Sequence, residues 1–262
     1  MIHFFIDSGI IDLIKKKEVL YIKKFKLGRI ILNKIIAVIS SPHKFGNTAT
    51  LVREALRGAE SKGLETEEIF LPDYKLKFCQ GCFSCLAEGE CVLGDGLNEL
   101  REKLVLSSGI IMGSPTYGLE PNAIMKNFLD RIGLFSVYTS QLGDKYVAGI
   151  ATTGAAGAKK VAKKLTDITG GFIKTGYVSG TLGVALDWDE VEEYPQYLNK
   201  AYQLGETLAN DIKTHKKYYF QKIFNRIINT LFLKRIMRKN ILKYKDTRMK
   251  AVFNYLKEKG EI

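Results

Sequence analysis

All four cysteines of this chain lie within thirteen residues, in the segment CQGCFSCLAEGEC. Two residues separate Cys79 from Cys82 and Cys82 from Cys85, and five separate Cys85 from Cys91. Thiolates at this spacing can turn inward from one small loop and share a metal centre. The segment therefore predicts a metal-binding or redox loop.

Three chemistries suit such a loop: an iron–sulfur cluster, tetrahedral zinc, or reduced cysteines with a structural or redox role. Zinc ligands usually come as two pairs that are about a dozen or more residues apart. The continuous Cys-x2-Cys-x2-Cys is instead typical of cluster binding. It differs from a ferredoxin segment, because five residues precede Cys91 and no proline follows it. The pattern favours a cluster and leaves the other two chemistries open.

A second stretch is suited to an anion. The apolar run IIAVIS (35–40) predicts a buried strand, and the loop SPHKFGNT (41–48) leads into a helix that ends near Gly63. Free N–H groups and the helix dipole favour a phosphate at such a helix start. Ser41, Asn47 and Thr48 add side-chain donors. Because the loop has neither a Walker nor a GxGxxG pattern, ATP and a Rossmann-bound NAD are disfavoured.

Two later loops carry related chemistry. Pro115–Gly118 offers backbone amides and the aromatic plane of Tyr117, and Thr152–Gly157 offers small residues and free amides. A flat, phosphorylated cofactor fits all three loops. We therefore expect FMN.

The elements around these loops must bring them together. Buried-strand patterns alternate with helical patterns five times, which predicts a five-stranded parallel sheet covered by helices on both faces, a doubly wound α/β fold. In such a sheet the ligand lies beyond the carboxyl ends of the strands. The predicted strands are 35–40, 64–72, 109–118, 145–152 and 171–180, and the later helices are 95–108, 121–133, 158–170, 190–213 and 248–262.

The net charge of +12 is concentrated at the two ends of the chain. Residues 1–34 contain 8 Lys/Arg against 3 acidic residues and residues 212–262 contain 15 against 3, which leaves 17 against 22 for the middle. We predict a basic N-terminal extension (1–34), an FMN-binding domain (35–213) with the cysteine loop (79–91), and a basic, amphipathic helical C-terminal extension (214–262). A basic nucleic-acid-binding core is disfavoured.

The C-terminal pattern at 215–245 suits packing against the domain or a second subunit better than contact with a membrane surface, although it permits both. No apolar run approaches the roughly 18 residues of a membrane span, and no signal-peptide pattern opens the chain. The chain is therefore expected in the cytoplasm, where thiols stay reduced.

Two motifs resemble those of the flavodoxin-like NAD(P)H-dependent FMN reductases. SSPHKFGNT resembles their phosphate loop GSPR-x-x-GNT, with Ser40 and His43 in place of Gly and Arg. SPTYGLEPNAIMKNFLDR resembles their SPVYxxxxxxxxKxFxDR segment. The cysteine segment is similar to that of iron–sulfur flavoproteins, which hold a 4Fe–4S cluster beside FMN. The resemblance covers about residues 34–210.

The resemblance assigns roles to individual residues, while the flavin itself carries the chemistry. Asp130 and Arg131 are interpreted as a helix-end ion pair that positions its helix. By resemblance, the phosphate would be bound by Ser41, Asn47 and Thr48, the ring and ribityl by Pro115, Thr116, Tyr117 and Gly118, the far side of the flavin by Thr153 and Gly154, and the cluster by Cys79, Cys82, Cys85 and Cys91.

The function expected is electron transfer between a one-electron donor, such as a ferredoxin-like protein, and a small-molecule acceptor, by a homodimer or homotetramer. The alternative is a cluster-free NAD(P)H-dependent FMN or quinone reductase. A third hypothesis is a non-enzymatic module anchored by its basic ends. With three histidines in the whole chain, a hydrolytic site is disfavoured.

Overall fold

The structure, a computed structural model, describes residues 33–219, 221 and 234–262. The predicted N-terminal extension lies outside these residues, except for its last two. The strands are β1 Lys34–Ile39, β2 Glu65–Phe70, β3 Gly109–Tyr117, β4 Glu120–Pro121, β5 Tyr146–Thr153 and β6 Tyr177–Ala185. The helices are α1 Asn47–Glu60, α2 Ser84–Glu88, α3 Leu97–Leu106, α4 Ala123–Thr139, α5 Ala158–Leu165, α6 Pro195–Lys213, α7 Lys234–Lys243 and α8 Lys250–Glu258.

Five strands form a parallel sheet in the order β2-β1-β3-β5-β6, and the two-residue β4 pairs antiparallel with the end of β3. This is the flavodoxin-like order, in which the connections reverse direction between β1 and β3. The predicted five-stranded, doubly wound fold is confirmed.

Strand β1 shows how the sheet joins two cores. Successive side chains of a strand point to opposite faces. Ile35, Ala37 and Ile39 therefore pack with α1 and α6 on one face, while Ile36 and Val38 pack with α3, α4 and α5 on the other. All five residues are buried, which is why this run has no polar alternation.

Helices α1 and α6 pack against each other through glycine. A Cβ on Gly205 of α6 would lie 1.7 Å from the carbonyl oxygen of Ala55 in α1, and a Cβ on Gly58 of α1 would lie 2.0 Å from that of Tyr202. Only glycine permits this approach.

Several boundaries differ from expectation: α4 and β6 extend to Thr139 and Ala185, beyond residues 133 and 180, and α5 ends at Leu165. Strand β6 begins at Tyr177 and not at residue 171, because Phe172 leaves the sheet direction to pack its ring on Tyr138 of α4, 5.6 Å away. The helix predicted from residue 190 begins at Pro195, because proline is favoured in the first helical turn. The helix predicted from residue 121 begins at Ala123, because Pro121 belongs to β4.

The described C-terminal helices α7 and α8 pack against the domain. Ile241 of α7 and Met249, Val252 and Leu256 at α8 form an apolar cluster with Leu86 of α2 and Phe135 of α4. Residues 220 and 222–233 of the predicted pattern at 215–245 lie outside the described residues. In the described ranges, no helix is both long and apolar enough to cross a membrane.

Candidate functional site

The first loop of the site starts where β1 ends. Ser41 is buried, and its Oγ accepts a hydrogen bond from the His43 N–H at 3.1 Å. Helix α1 follows directly, with Gly46 at its N-cap, no side-chain cap and no acidic residue in its first turn. The amides of this first turn are thus uncapped by side chains and lie at the positive end of the helix dipole. This geometry suits a phosphate.

Asn47 and Thr48 use their side chains to hold neighbouring loops. The Asn47 amide donates to the Asp189 carbonyl and accepts from the Val191 N–H, both at 2.9 Å. The Thr48 hydroxyl lies 2.6 Å from that of Thr152 on β5. In this arrangement the donors that these two residues offer to a phosphate are their backbone N–H groups. Their binding of phosphate stays a prediction.

The second loop is a hairpin between β3 and β4. Gly118 and Leu119 both have positive φ, at 57° and 66°, the conformation of a type I′ turn. Thr116 is buried, and its hydroxyl has no hydrogen-bond partner among the described residues. Tyr117, in contrast, is 56% exposed at the hairpin tip. Pro115 pairs in register with Thr152 of β5, so the hairpin rises beside the third loop.

Asn122 ties the first loop to the hairpin. Its side-chain amide donates to the Ser40 carbonyl at 2.7 Å, and its backbone N–H donates to Ser114 Oγ at 3.2 Å. Its side-chain oxygen also caps α4 by accepting from the Met125 N–H at 3.0 Å. One buried residue therefore fixes the ends of β1 and β3 relative to the start of α4.

The third loop lies against a fourth loop, which contains Asp187 and Trp188 and which the sequence analysis does not identify. Thr153 Oγ1 donates to the Ala156 carbonyl at 3.1 Å, and a Cβ on Gly154 would lie 3.1 Å from the Asp187 carbonyl. Trp188, the single tryptophan of the chain, is 94% exposed on this fourth loop, which Asn47 holds in place. The sequence signal for this loop is a single tryptophan between two aspartates, after a predicted strand.

These loops fit FMN. The orphaned Thr116 hydroxyl offers a polar partner, the ring of Tyr117 is free to stack, and Gly154 leaves room where a side chain would meet Asp187. The uncapped start of α1 suits the phosphate.

The cysteine loop is fastened at both ends. The Cys79 N–H donates to Asn127 Oδ1 of α4 at 3.1 Å. Cys91 exchanges two backbone hydrogen bonds of 2.9 Å with the side-chain amide of Asn98 on α3. Between these anchors, Phe83 and two glycines adopt left-handed backbone, which wraps the chain tightly.

A buried ion pair supports the loop from below. Arg131 of α4 donates to both carboxylate oxygens of Asp95, with Nη2 at 2.8 Å from Oδ1. The same Nη2 lies 3.0 Å from Cys91 Sγ, and Nη1 donates to the Lys77 carbonyl at 2.8 Å. The expected pairing of Arg131 with Asp130 is wrong, because Asp130 bonds Lys126 on the helix surface.

The four thiols influence one another. Burial raises the pKa of Cys85, and the negative charges of Cys91, Cys82 and Cys79 raise it further. A hydrogen bond from Ser84 Oγ, 3.3 Å from the Cys82 sulfur, lowers the pKa of Cys82. All four cysteines are free thiols, and two of them are exposed.

The donor set of four thiolates is one that zinc and iron–sulfur clusters use. Within the described part of the chain, no three His, Cys, Asp or Glu side chains converge on a site for a single metal ion.

Comparison with known proteins identifies the family. The family described as NADPH-dependent FMN reductase matches residues 33–192. An iron–sulfur flavoprotein of Archaeoglobus fulgidus is 31% identical over 232 residues, which cover 87% of this chain and 100% of that protein. One from Methanosarcina thermophila is 29% identical over 136 residues, 51% of this chain and 71% of that protein.

Solved structures show the same fold at low sequence identity. A flavone reductase superposes with a TM-score of 0.58 at 17% identity, over 71% of this chain and 65% of that one. RosB, solved with a bound 8-demethyl-8-formylriboflavin-5'-phosphate, gives 0.51 at 14% identity, over 69% and 79%. Fold, loops and relatives agree: the chain is an FMN-binding, flavodoxin-like oxidoreductase that belongs to the NADPH-dependent FMN reductase and iron–sulfur flavoprotein family.

Proposed function

We propose that this chain is a two-centre electron carrier, with FMN at the carboxyl edge of the sheet and a 4Fe–4S cluster on Cys79, Cys82, Cys85 and Cys91. FMN exchanges electrons in pairs or singly, whereas such a cluster passes them one at a time. The donor proposed is a ferredoxin-like one-electron carrier, and the acceptor is a small molecule such as a quinone or an oxygen species.

The observation that carries the proposal is the position of helix α4 between the two sites. Asn122 caps this helix and holds the loops that follow β1 and β3. Five residues later Asn127 binds Cys79, and Arg131 then binds the sulfur of Cys91. At about 1.5 Å per residue, the two sets of anchors are about 7 to 14 Å apart along the axis. A single helix thus anchors both loops, which supports a short separation between the two proposed centres.

The residues around the sulfurs support a thiolate-bound centre. Arg131 is an always-charged donor that is 1% exposed at its side chain, so its bond to Cys91 is protected from water. Burial opposes its charge, but the bonds to Asp95 and Cys91 outweigh this and raise the pKa of Arg131. A fixed positive charge beside a sulfur stabilises added negative charge there.

The test is iron and sulfide analysis with an absorption spectrum of protein purified without oxygen. We expect about four irons per chain, together with flavin bands. Cys82→Ser should lose iron and lose reduction by ferredoxin. Ser84→Ala, which removes the neighbouring hydroxyl and no thiol, is the matched control and should retain both. Unchanged iron content in Cys82→Ser would show that the cysteines do not hold a cluster.

A cluster-free NAD(P)H-dependent FMN or quinone reductase is the second candidate. It is favoured by the family match over residues 33–192. It requires rapid oxidation of NADPH by protein that contains FMN and no iron. Stopped-flow mixing with NADPH, monitored at the flavin band, distinguishes the two candidates.

A further inference from the structure

The C-terminal part of the chain is strongly basic where it meets the cysteine loop. Between residues 235 and 250, here called the basic segment, seven cationic side chains are exposed and there is one acidic residue, Asp246. None of the seven forms an ion pair with a carboxylate among the described residues. They are Arg235, Arg238, Lys239, Lys243, Lys245, Arg248 and Lys250.

Apolar contacts fix this segment against the cysteine loop. Ile241 and Met249 are buried in one apolar cluster with Leu86, the residue after Cys85, and Cys85 packs on the same cluster. The Cβ of Ala251 lies 3.4 Å from the position that a Cβ on Gly89 would occupy. Since Lys250 adjoins Ala251 and Arg248 adjoins Met249, their Cα atoms lie about 3.8 Å from those of residues in contact with the loop. The backbone at Arg248 and Lys250 is therefore held at the border of the loop.

The loop itself offers the apolar part of a contact surface. Phe78 and Phe83 are both exposed, next to the exposed thiols of Cys79 and Cys82. Transient interfaces commonly combine an apolar centre with a charged rim that steers the partner.

We infer that the basic segment is the docking surface for an acidic one-electron carrier protein that delivers electrons to the cysteine loop. This inference rests on the proposed function and names the surface by which the donor is recognised. Lys243 and Lys245 lie over the rings of Tyr244 and Phe253, which leaves their charge available to a partner. Exposed cations that have no carboxylate partner raise the association rate of an acidic protein, by factors of about 10 to 1,000 in steered complexes. Docking at this border brings the carrier to the side of the domain that holds the sulfurs.

The geometry of α7 disfavours a lipid surface as the occupant. Its exposed apolar residues, Ile236 and Leu242, are six positions apart, which places them about 120° apart around the helix. A helix that lies in a membrane interface needs its apolar residues on one continuous face. The exposed surface of the described helix is cationic on several sides, which suits a protein partner with acidic side chains.

The test compares two charge-reversed variants of the full chain. Arg248→Glu/Lys250→Glu removes two cations beside the loop and places acid at the start of α8, where the helix dipole favours it, so the fold is retained. The control, Lys200→Glu/Lys213→Glu, makes the same charge change on α6, in the opposite layer. The affinity of each protein for a purified acidic ferredoxin is measured by calorimetry at low salt and at about 0.5 M NaCl.

We expect Arg248→Glu/Lys250→Glu to bind the ferredoxin about tenfold more weakly at low salt, and the control variant to stay within about twofold of wild type. High salt should remove the difference. Equal affinities for the wild type and Arg248→Glu/Lys250→Glu would overturn the inference. So would binding of phosphatidylglycerol vesicles through these two residues without ferredoxin binding. Iron and sulfide assays on the same preparations decide the proposed function separately, because binding requires no electron transfer.

Discussion

Replacing Arg131 with methionine tests whether the buried ion pair under the cysteine loop has the structural importance that its position suggests. The side chains of Arg131 and Asp95 are 1% and 6% exposed, and two charge-assisted hydrogen bonds join them. At about 1.5 to 3 kcal/mol for each such bond, their loss costs about 3 to 6 kcal/mol. Breaking a buried pair by removing one partner typically costs about 3 to 5 kcal/mol. We expect a loss near 4 kcal/mol, within both ranges.

Urea unfolding at pH 7 measures this loss, with Lys126→Met as the control. Lys126 pairs with Asp130 on the same helix, but these side chains are 56% and 48% exposed. Exposed pairs contribute about 0 to 1 kcal/mol, so the control should unfold almost as the wild type does. A loss below about 1 kcal/mol in Arg131→Met would refute the assigned role of the ion pair.

The pH dependence provides a second test. Burial opposes the charge of Asp95, but hydrogen bonds from Arg131 and from the Lys77 N–H keep its pKa below the usual value. The stabilisation is therefore present at neutral pH and is lost as the pH falls below about 4. In Arg131→Met the carboxylate stays buried without its cation, so its pKa should rise above the unfolded value. The difference in unfolding free energy between Arg131→Met and the wild type should then become smaller as the pH falls from 7 to 5. A difference that stays constant over this range would contradict the argument.

Three further predictions concern single residues. Thr116→Val should weaken FMN binding about five- to tenfold in a fluorescence titration, because one hydrogen bond to the cofactor is lost; unchanged affinity would show that the hydroxyl does not contact it. Gly205→Ala should lower the free energy of unfolding by about 1 to 3 kcal/mol in a thermal melt, since the new Cβ meets the Ala55 carbonyl; an unchanged melt would contradict this close packing. Burial lowers the pKa of Lys145 to about 8, so the unfolded chain binds more protons above that pH. Wild type should gain stability relative to Lys145→Met as the pH rises from about 8 to 10, and a parallel pH profile of the two proteins would exclude this.

The sheet could be predicted from the sequence because its strands are continuous apolar runs, as in Ile35–Ile39, where both faces are buried. Local pattern failed at 171–176, where apolar residues resemble a strand but Phe172 packs on α4. In a parallel sheet the register comes from the neighbouring strand, and β6 starts where Tyr177 pairs with Tyr146.

Sequence motifs predict the loops of the candidate site, but they do not predict the side-chain hydrogen bonds and ion pairs of those loops. Asn47 was expected to face a phosphate with its side chain, whereas its amide bonds residues more than 140 positions later in the chain. Arg131 was expected to pair with its neighbour Asp130 and pairs with Asp95 instead. Both pairings arise because the sheet brings distant parts of the chain together. The local spacing of residues carries no information about such contacts.

The apolar contact between α8 and the cysteine loop also has a consequence for biosynthesis. Leu86 leaves the ribosome about 160 residues before Met249, its partner in the apolar cluster. At about 5 to 20 residues per second, the loop spends roughly 8 to 30 s with that side uncovered. Under the proposed function, factors that deliver iron and sulfide would have two sides of the loop open to them during this interval. Among the described residues, packing of the C-terminal helices covers one of these sides and leaves the side where Cys79 and Cys82 are exposed.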